Sequence, residues 1–156
     1  MCVCAPQKFQ AKLIPLPYST AIMCSLIRYG VQVQLFSSDF KREVGRLIDE
    51  QGVKAIIMGN RRTDPWSQDL QAFTDSSEGW PSFKRVFPIL DWDYCAIWKF
   101  LRSFDLPYCS LYDQGFTSLG EKHNSQPNPS LKTEGSDQFR PAYELIDGSL
   151  ERLSRI

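Results

Sequence analysis

The 156-residue chain has a single histidine, His123, and none of its nine glycines are adjacent. One histidine excludes a multi-histidine metal centre, and His123 lies among polar loop residues, where a solvated side chain is the ordinary role. Net charge is absent too, because eighteen Lys and Arg balance eighteen Asp and Glu. A neutral chain presents no broad basic field to nucleic acid or to an anionic membrane, so an anionic ligand has to be held by a local site. No run approaches the roughly 20 apolar residues that cross a bilayer, and no basic segment followed by an apolar stretch opens the sequence. The expectation is a soluble cytoplasmic chain, with a mitochondrial form left open. Cys2, Cys4, Cys24, Cys95 and Cys109 are odd in number and lack both zinc-ligand spacing and a disulfide framework. They read as reduced, mostly structural thiols. There is no internal repeat, and a hydrophobic share of 42% in this length suits one core rather than two.

The most regular stretch runs from Leu26 to Gly59. Alternating Val31, Val33 and Leu35 predict a strand, and residues 39–51 then carry Phe40, Val44, Leu47 and Ile48 on one helical face. Ser38 or Asp39 is placed to cap that helix and Gly52 to end it. Val53 to Met58 is a short apolar run stopping at Gly59, the pattern of a strand buried in a parallel sheet. Strand, helix and strand in this order imply an α/β layered fold, whose ligands bind beyond the carboxyl ends of the strands.

Residues 60–88 show no sustained periodicity, and a connection of that length is usually functional. A second helix is predicted from about Trp92 to Ser103, with Asp91 as its cap and Ile97, Trp98, Leu101 and Phe104 on its apolar side. Trp92, Trp98 and Phe100 read as packing residues. Residues 121–138 are polar and read as a surface excursion or partly disordered loop. Ser149 is placed to cap a last turn holding Glu151, Arg152 and Arg155.

Directly after the Val53 to Met58 strand, Gly59-Asn60-Arg61-Arg62-Thr63-Asp64-Pro65 brings together two guanidinium groups, a hydroxyl and a carboxylate. Guanidinium forks match phosphate oxygens, Gly59 admits a ligand close to the backbone, and Pro65 fixes the turn. The same residues also suit a solvated turn, and the carboxylate suits a ribose hydroxyl, a flavin edge or a magnesium ion. Trp80 stands between Gly79 and Pro81 in irregular chain with no helical face to fill, which favours ligand contact as much as packing.

Gly59 to Pro65, then Trp80-Pro81-Ser82-Phe83-Lys84-Arg85 and Pro88-Ile89-Leu90-Asp91-Trp92, resemble the signature of the eukaryotic-type FAD synthase family. Ile97 to Leu101, Pro107 to Asp113, Gly115 to Gly120, Pro127-Asn128-Pro129, Ala142 to Leu145 and Leu150 to Ile156 continue it in the family's order. The resemblance covers roughly residues 26–156 and places the domain at 18–156, leaving 1–17 unassigned. It implies a three-layer α/β sandwich with a mostly parallel sheet, of the adenine nucleotide alpha hydrolase-like type. It also implies adenylyl transfer from ATP to FMN with Mg2+, giving FAD and pyrophosphate, and flavin-accepting apoproteins as partners.

On this resemblance Asp64, Arg152 and Arg155 are catalytic, and Gly59, Arg61, Arg62, Thr63, Trp80, Arg85, Thr117, Ser118 and Asn128 bind substrate. Asp75 is a further family carboxylate if the longer Ser76 to Gly79 stretch is allowed for. Without the resemblance, Thr117-Ser118 is a plain turn, Asn128 a hinge between prolines, and Arg152/Arg155 a solvated face. Family members also carry an early Gly-Gly-Lys-Asp loop that cradles ATP phosphates at a helix start. With no adjacent glycines this chain has none. The fold is therefore expected to be incomplete at its amino end, and the chain to be weak or inactive alone. The alternative is a non-catalytic flavin-binding or synthase-associated chain. A phosphosulfate reductase relative is a third reading, which the scattered cysteines disfavour.

Overall fold

The computed structural model describes residues 28–30, 39–120 and 122–155. It forms two compact units. Among the described residues the first holds Gly30 and 39–92, and the second holds 28–29 with everything after residue 92. The strand expected at Val31, Val33 and Leu35 and the unassigned residues 1–17 lie outside the described residues. Among the described residues no helix is long and apolar enough to cross a membrane.

In the first unit, helix α1 spans Phe40–Gln51. Asp39 caps it, its carboxylate accepting from the Arg42 amide at 3.1 Å, and Gly52 closes it in the left-handed conformation at φ 66°. Val44 and Leu47, three apart on one face, are its buried apolar residues. Strand β1 (Ala55–Ile57) follows, then β2 (Phe73–Asp75) and β3 (Lys84–Val86), in the spatial order β1-β3-β2. β1 runs parallel to β3, and β2 runs antiparallel to it. The α/β class follows the sequence expectation. The two strands inside residues 60–88 do not, because three residues each are too few to register as periodicity.

Register sorts the side chains by face. Ile56, Arg85 and Thr74 share one face of the sheet, on which Ile56 is buried. Ile57, Val86 and Phe73 align across the other, where Ile57 and Phe73 stay 63% and 69% exposed. β1 is thus buried on one side only, rather than on both as its apolar run suggested.

In the second unit, helix α2 spans Tyr94–Ser103. Its cap is Asp93, which accepts from the Ala96 amide at 2.6 Å. Asp91, two residues earlier, is not the cap. Trp98 is the centre of this core: its ring meets Tyr94, Tyr108, Tyr112 and Tyr143 edge-on at centroid distances of 5.1 to 6.3 Å. Leu131, Ala142 and Leu145 complete the buried cluster. Burial raises the Tyr94 phenol above its ordinary pKa, and its hydroxyl donates to the Ala142 carbonyl at 2.8 Å. Phe100 and Phe104, expected to pack inward, instead lie against each other at 5.0 Å and remain 41% and 61% exposed.

The polar segment after residue 121 is built into this unit. It contributes 3-10 turns at Lys122–Asn124 and Pro129–Leu131, and Leu131 is fully buried. The last turn, Gly148–Ser154, is capped by Asp147 rather than Ser149. The Asp147 carboxylate accepts from the Ser149 hydroxyl and amide, which lowers its pKa. A lowered carboxyl pKa stabilises above the unfolded value, so this cap weakens as pH falls through the carboxylate range.

Trp98→Ala should destabilise the protein by about 3–5 kcal/mol, because four ring contacts and a buried volume are lost together. Urea unfolding checks this, and Phe104→Ala, on an exposed face, should cost far less.

Candidate functional site

β1 ends at Ile57, and Met58 extends the parallel ladder through its amide to the Val86 carbonyl at 2.9 Å. Gly59 therefore leaves the sheet at the carboxyl end of a paired strand, the position at which open α/β sheets bind ligands. The next residues fold into a self-held turn. The Asp64 carboxylate accepts from the Arg61 amide at 2.8 Å and from the Arg61 guanidinium at 3.2 Å, while the Asp64 amide donates to the Arg61 carbonyl at 2.9 Å. Arg61 is 9% exposed, so the two charges face each other largely out of water. A pair this enclosed is stiff, and removing either charge takes a close countercharge from the other.

Arg62 points elsewhere. Its Nε donates to Asp91 at 2.7 Å, and its Nη1 to the Gln68 and Leu70 carbonyls at 2.9 and 3.1 Å. A second nitrogen lies 2.6 Å from the same Asp91 oxygen, and the Arg62 amide donates to the Leu90 carbonyl. This guanidinium fork ties residues 62–70 to residues 90–91. The two adjacent arginines, read together as phosphate ligands, thus have separate structural partners. Thr63 is exposed at the tip of the turn.

A cleft of about 150 Å³ opens beside the same strand end. Met58 and Ile56 of β1, Phe40 and Val44 of α1, and Ser77, Trp80, Phe83 and Arg85 line it. The Trp80 and Phe40 rings meet at 6.0 Å and 62°. Trp80 does have a helical face to pack on, contrary to the expectation from its irregular surroundings, and it still keeps 37% of its surface exposed. Arg85 lies on β3 rather than in a loop. Its Nε donates to the Asp75 carbonyl at 3.1 Å, and its guanidinium carbon is 5.9 Å from the Phe87 ring centre. Asp75 turns its carboxylate to Lys84 at 2.6 Å. Phe40, Val44 and Phe83 went unnoticed as lining residues because only the fold places them beside Trp80.

The remaining candidates belong to the second unit. Asn128 is fully buried, and its side-chain nitrogen donates to Thr117 Oγ1 and the Leu150 carbonyl, both at 2.8 Å. Its side-chain oxygen accepts from the Ser130 amide at 2.9 Å. Thr117 Oγ1 donates to the Glu151 carbonyl at 2.6 Å, and the Thr117 amide donates to Ser154 Oγ at 2.9 Å. Both amide hydrogens of Asn128 are spent inside the protein, which favours the structural role among its two sequence readings. Arg155 Nε donates to Ser118 Oγ at 2.9 Å, and the same guanidinium donates to the Leu119 carbonyl. A Cβ at Gly120 would meet that guanidinium and the Asn124 side chain, so a larger residue there would displace both. Arg152 is exposed on the adjoining 3-10 turn.

Residues 35–127 match the phosphoadenosine phosphosulfate reductase domain family. Over 129 residues the chain is 42% identical to a protein of Schizosaccharomyces pombe named Probable FAD synthase, covering 82% of this chain and 48% of that one. It is also 42% identical over 112 residues to the Flavin adenine dinucleotide synthase of Saccharomyces cerevisiae, covering 66% of this chain and 36% of the relative. Its fold matches Candida glabrata FMN adenylyltransferase in complex with FAD and inorganic pyrophosphate, with a TM-score of 0.81, 25% identity and coverage of 90% and 62%. The same enzyme with FMN and the ATP analog AMPCPP gives 0.80 at 25% identity, with coverage of 89% and 65%. The chain thus spans about half or less of the curated relatives it matches.

Arg62→Ala should destabilise the first unit more than Asp91→Ala. Loss of Asp91 removes one exposed ion pair worth about 0.2–1 kcal/mol, whereas loss of Arg62 also frees two carbonyls. Equal losses in urea unfolding would mean that the carbonyl contacts contribute nothing.

Proposed function

Because the chain belongs to the phosphoadenosine phosphosulfate reductase domain family, and the two relatives at 42% identity are named as FAD synthases, we propose that its site serves adenylyl transfer from ATP to FMN. The observation that carries the proposal is the Arg61–Asp64 turn at the end of β1, beside a cleft lined by Trp80 and Arg85. In this reaction a phosphate oxygen of FMN attacks the α-phosphorus of ATP. A new P–O bond forms, the bond to the β-phosphate bridge breaks, and FAD and pyrophosphate leave. The nucleophile is already anionic, so the protein has to position two polyanions and neutralise charge rather than generate a base. A chain with one histidine is adequate for that.

Arg61 and Asp64 act as one unit in this proposal: the carboxylate fixes the turn and holds the guanidinium in a single orientation for phosphate. Arg62 contributes by keeping residues 62–70 in place. Gly59 and Thr63 bring backbone and hydroxyl donors to the same edge. Trp80 and Arg85 supply a ring face and a cation for the flavin. A cleft of about 150 Å³ is smaller than the roughly 300–1,000 Å³ of whole-ligand pockets, so it takes part of the ring system only. In the second unit, Arg155 is anchored on Ser118 and Leu119, and Asn128 and Thr117 hold the backbone that carries it; on the family resemblance Arg152 and Arg155 are cations for phosphate.

Magnesium accompanies ATP in this reading. Among the described residues no three His, Cys, Asp or Glu side chains are grouped to hold a metal. In this reading the ion travels with the ATP phosphates and no step is routed through it.

Two measurements test the proposal. Titration of FMN fluorescence should report binding, and Trp80→Ala or Arg85→Ala should weaken it about tenfold or more, in line with about 1–3 kcal/mol for a stacked ring. Unchanged binding in both variants would remove the flavin from this cleft. Incubation of the 156-residue chain with FMN, ATP and magnesium should yield little FAD by chromatography, since the sequence has no Gly-Gly-Lys-Asp loop. Robust turnover would show that this loop is dispensable, whereas binding without turnover is the behaviour of a flavin-holding chain.

A further inference from the structure

Trp66 sits two residues after Asp64 and is 93% exposed, with its backbone at φ 63°. Left-handed backbone is costly for a large side chain and is ordinarily left to glycine or asparagine. Strained residues persist where the surroundings fix them and where the strain serves a ligand. The surroundings here do fix it. On one side Pro65 has a locked φ. On the other Ser67 is buried, its amide donating to the Asp64 carbonyl at 3.2 Å and its hydroxyl to the Pro65 carbonyl at 3.4 Å. Asn60 Nδ2 donates to the same Ser67 hydroxyl at 3.3 Å, and the Leu70 amide donates to the Ser67 carbonyl at 3.3 Å.

The loop is thus stapled on both sides of one residue whose own side chain contacts almost nothing. Among the described residues the indole has no ring partner and no hydrogen bond. Packing cannot account for the tryptophan, and chain geometry alone would be better served by glycine. What remains is the indole face, held at the carboxyl end of β1 and next to the Arg61–Asp64 pair.

The geometry points to Trp66 as a stacking platform for the planar heteroaromatic ring of a substrate, bound while its phosphates lie toward the Arg61–Asp64 turn. This assignment rests on the adenylyl-transfer reading, which supplies two such rings, the purine of ATP and the isoalloxazine of FMN. A rigidly presented indole loses little entropy on stacking, because its backbone is already fixed. Stacking is also indifferent to ring substituents, so Trp66 would set affinity for a flat ring while neighbouring polar groups set which ring it is.

The test uses the full 156-residue chain, with FMN affinity read by fluorescence titration, ATP affinity by calorimetry and stability by thermal melting. Trp66→Gly should weaken binding of one of the two ligands about 5- to 150-fold, and Trp66→Tyr should restore most of that loss. The ligand affected identifies the ring. Because glycine suits φ 63°, Trp66→Gly should melt no lower than the parent. A parent chain that binds, with a Trp66→Gly variant that binds equally well, overturns the stacking role and leaves the adenylyl-transfer reading intact. A parent chain that binds neither FMN nor ATP overturns both. A Trp66→Gly variant that melts well below the parent assigns the indole to packing and overturns the stacking role.

Discussion

The parallel pairing of β1 with β3 is the contact on which the first unit depends. It is short, with three residues in register, and is lengthened by the Lys84 amide to Lys54 carbonyl bond at 2.9 Å and by Met58 on Val86. Parallel strands cannot be joined by a tight turn, so the chain between Met58 and Lys84 has to make a long excursion. That excursion contains the Arg61–Asp64 turn, the exposed Trp66, strand β2 and Trp80. Without the pairing, Trp80 and Arg85 would have no fixed relation to the end of β1, and the cleft with Phe40 and Val44 would not exist. The site is a consequence of the crossover.

Beside its Trp98 core, the second unit carries a buried polar network. Asn128, Thr117 and Ser154 are essentially inaccessible, yet each polar side-chain atom has a partner. Burying an unsatisfied amide costs about 1–3 kcal/mol, so a fully connected network is stable where a partial one is not. The network links residues 115–118 to residues 150–155 across a sequence separation of more than thirty. Its rigidity is what gives the Arg155 guanidinium a defined place on Ser118 and Leu119. An arginine near a chain's last residues is ordinarily a free side chain; here the backbone beneath it is locked.

What was readable in the sequence follows the range of the interactions. Helix α1, its cap and its Gly52 stop depend on residues within four positions of one another, and the sequence announced the helix and its stop and narrowed the cap to Ser38 or Asp39. β1 was visible as an apolar run, and Trp98 as a core residue from its place on a helix. β2 and β3 were not, since strands of three residues owe their existence to each other and to β1 rather than to local pattern. The sequence reading places the cap at Asp91, but the helix begins two residues later and Asp93 caps it. Asp91 instead accepts from Arg62, twenty-nine positions away, a partner no local pattern reveals. The partners of Trp80 and Asn128 are equally remote, so a ligand role and a structural role looked alike for each. Composition also misled at residues 121–138, where a polar stretch proved to carry the fully buried Leu131 and Asn128.

Charge adds a constraint that composition alone hides. The chain is neutral overall, and among the described residues four of its arginines are paired with carboxylates: Arg61 with Asp64, Arg62 with Asp91, Arg46 with Glu43 and Glu50, and Arg140 with Glu144. An enclosed pair such as Arg61–Asp64 keeps its orientation because the carboxylate compensates the buried cation when no phosphate is present. A phosphate arriving at that turn would meet a guanidinium already desolvated and aimed, and so would bear little of the reorganisation cost that an exposed, hydrated arginine demands. The carboxylate weakens the net attraction, however, so affinity cannot come from this turn alone. On the adenylyl-transfer proposal it is shared with the flat-ring contacts of Trp80 in the adjoining cleft. On that proposal, this argues against one basic loop holding the ligand by charge alone.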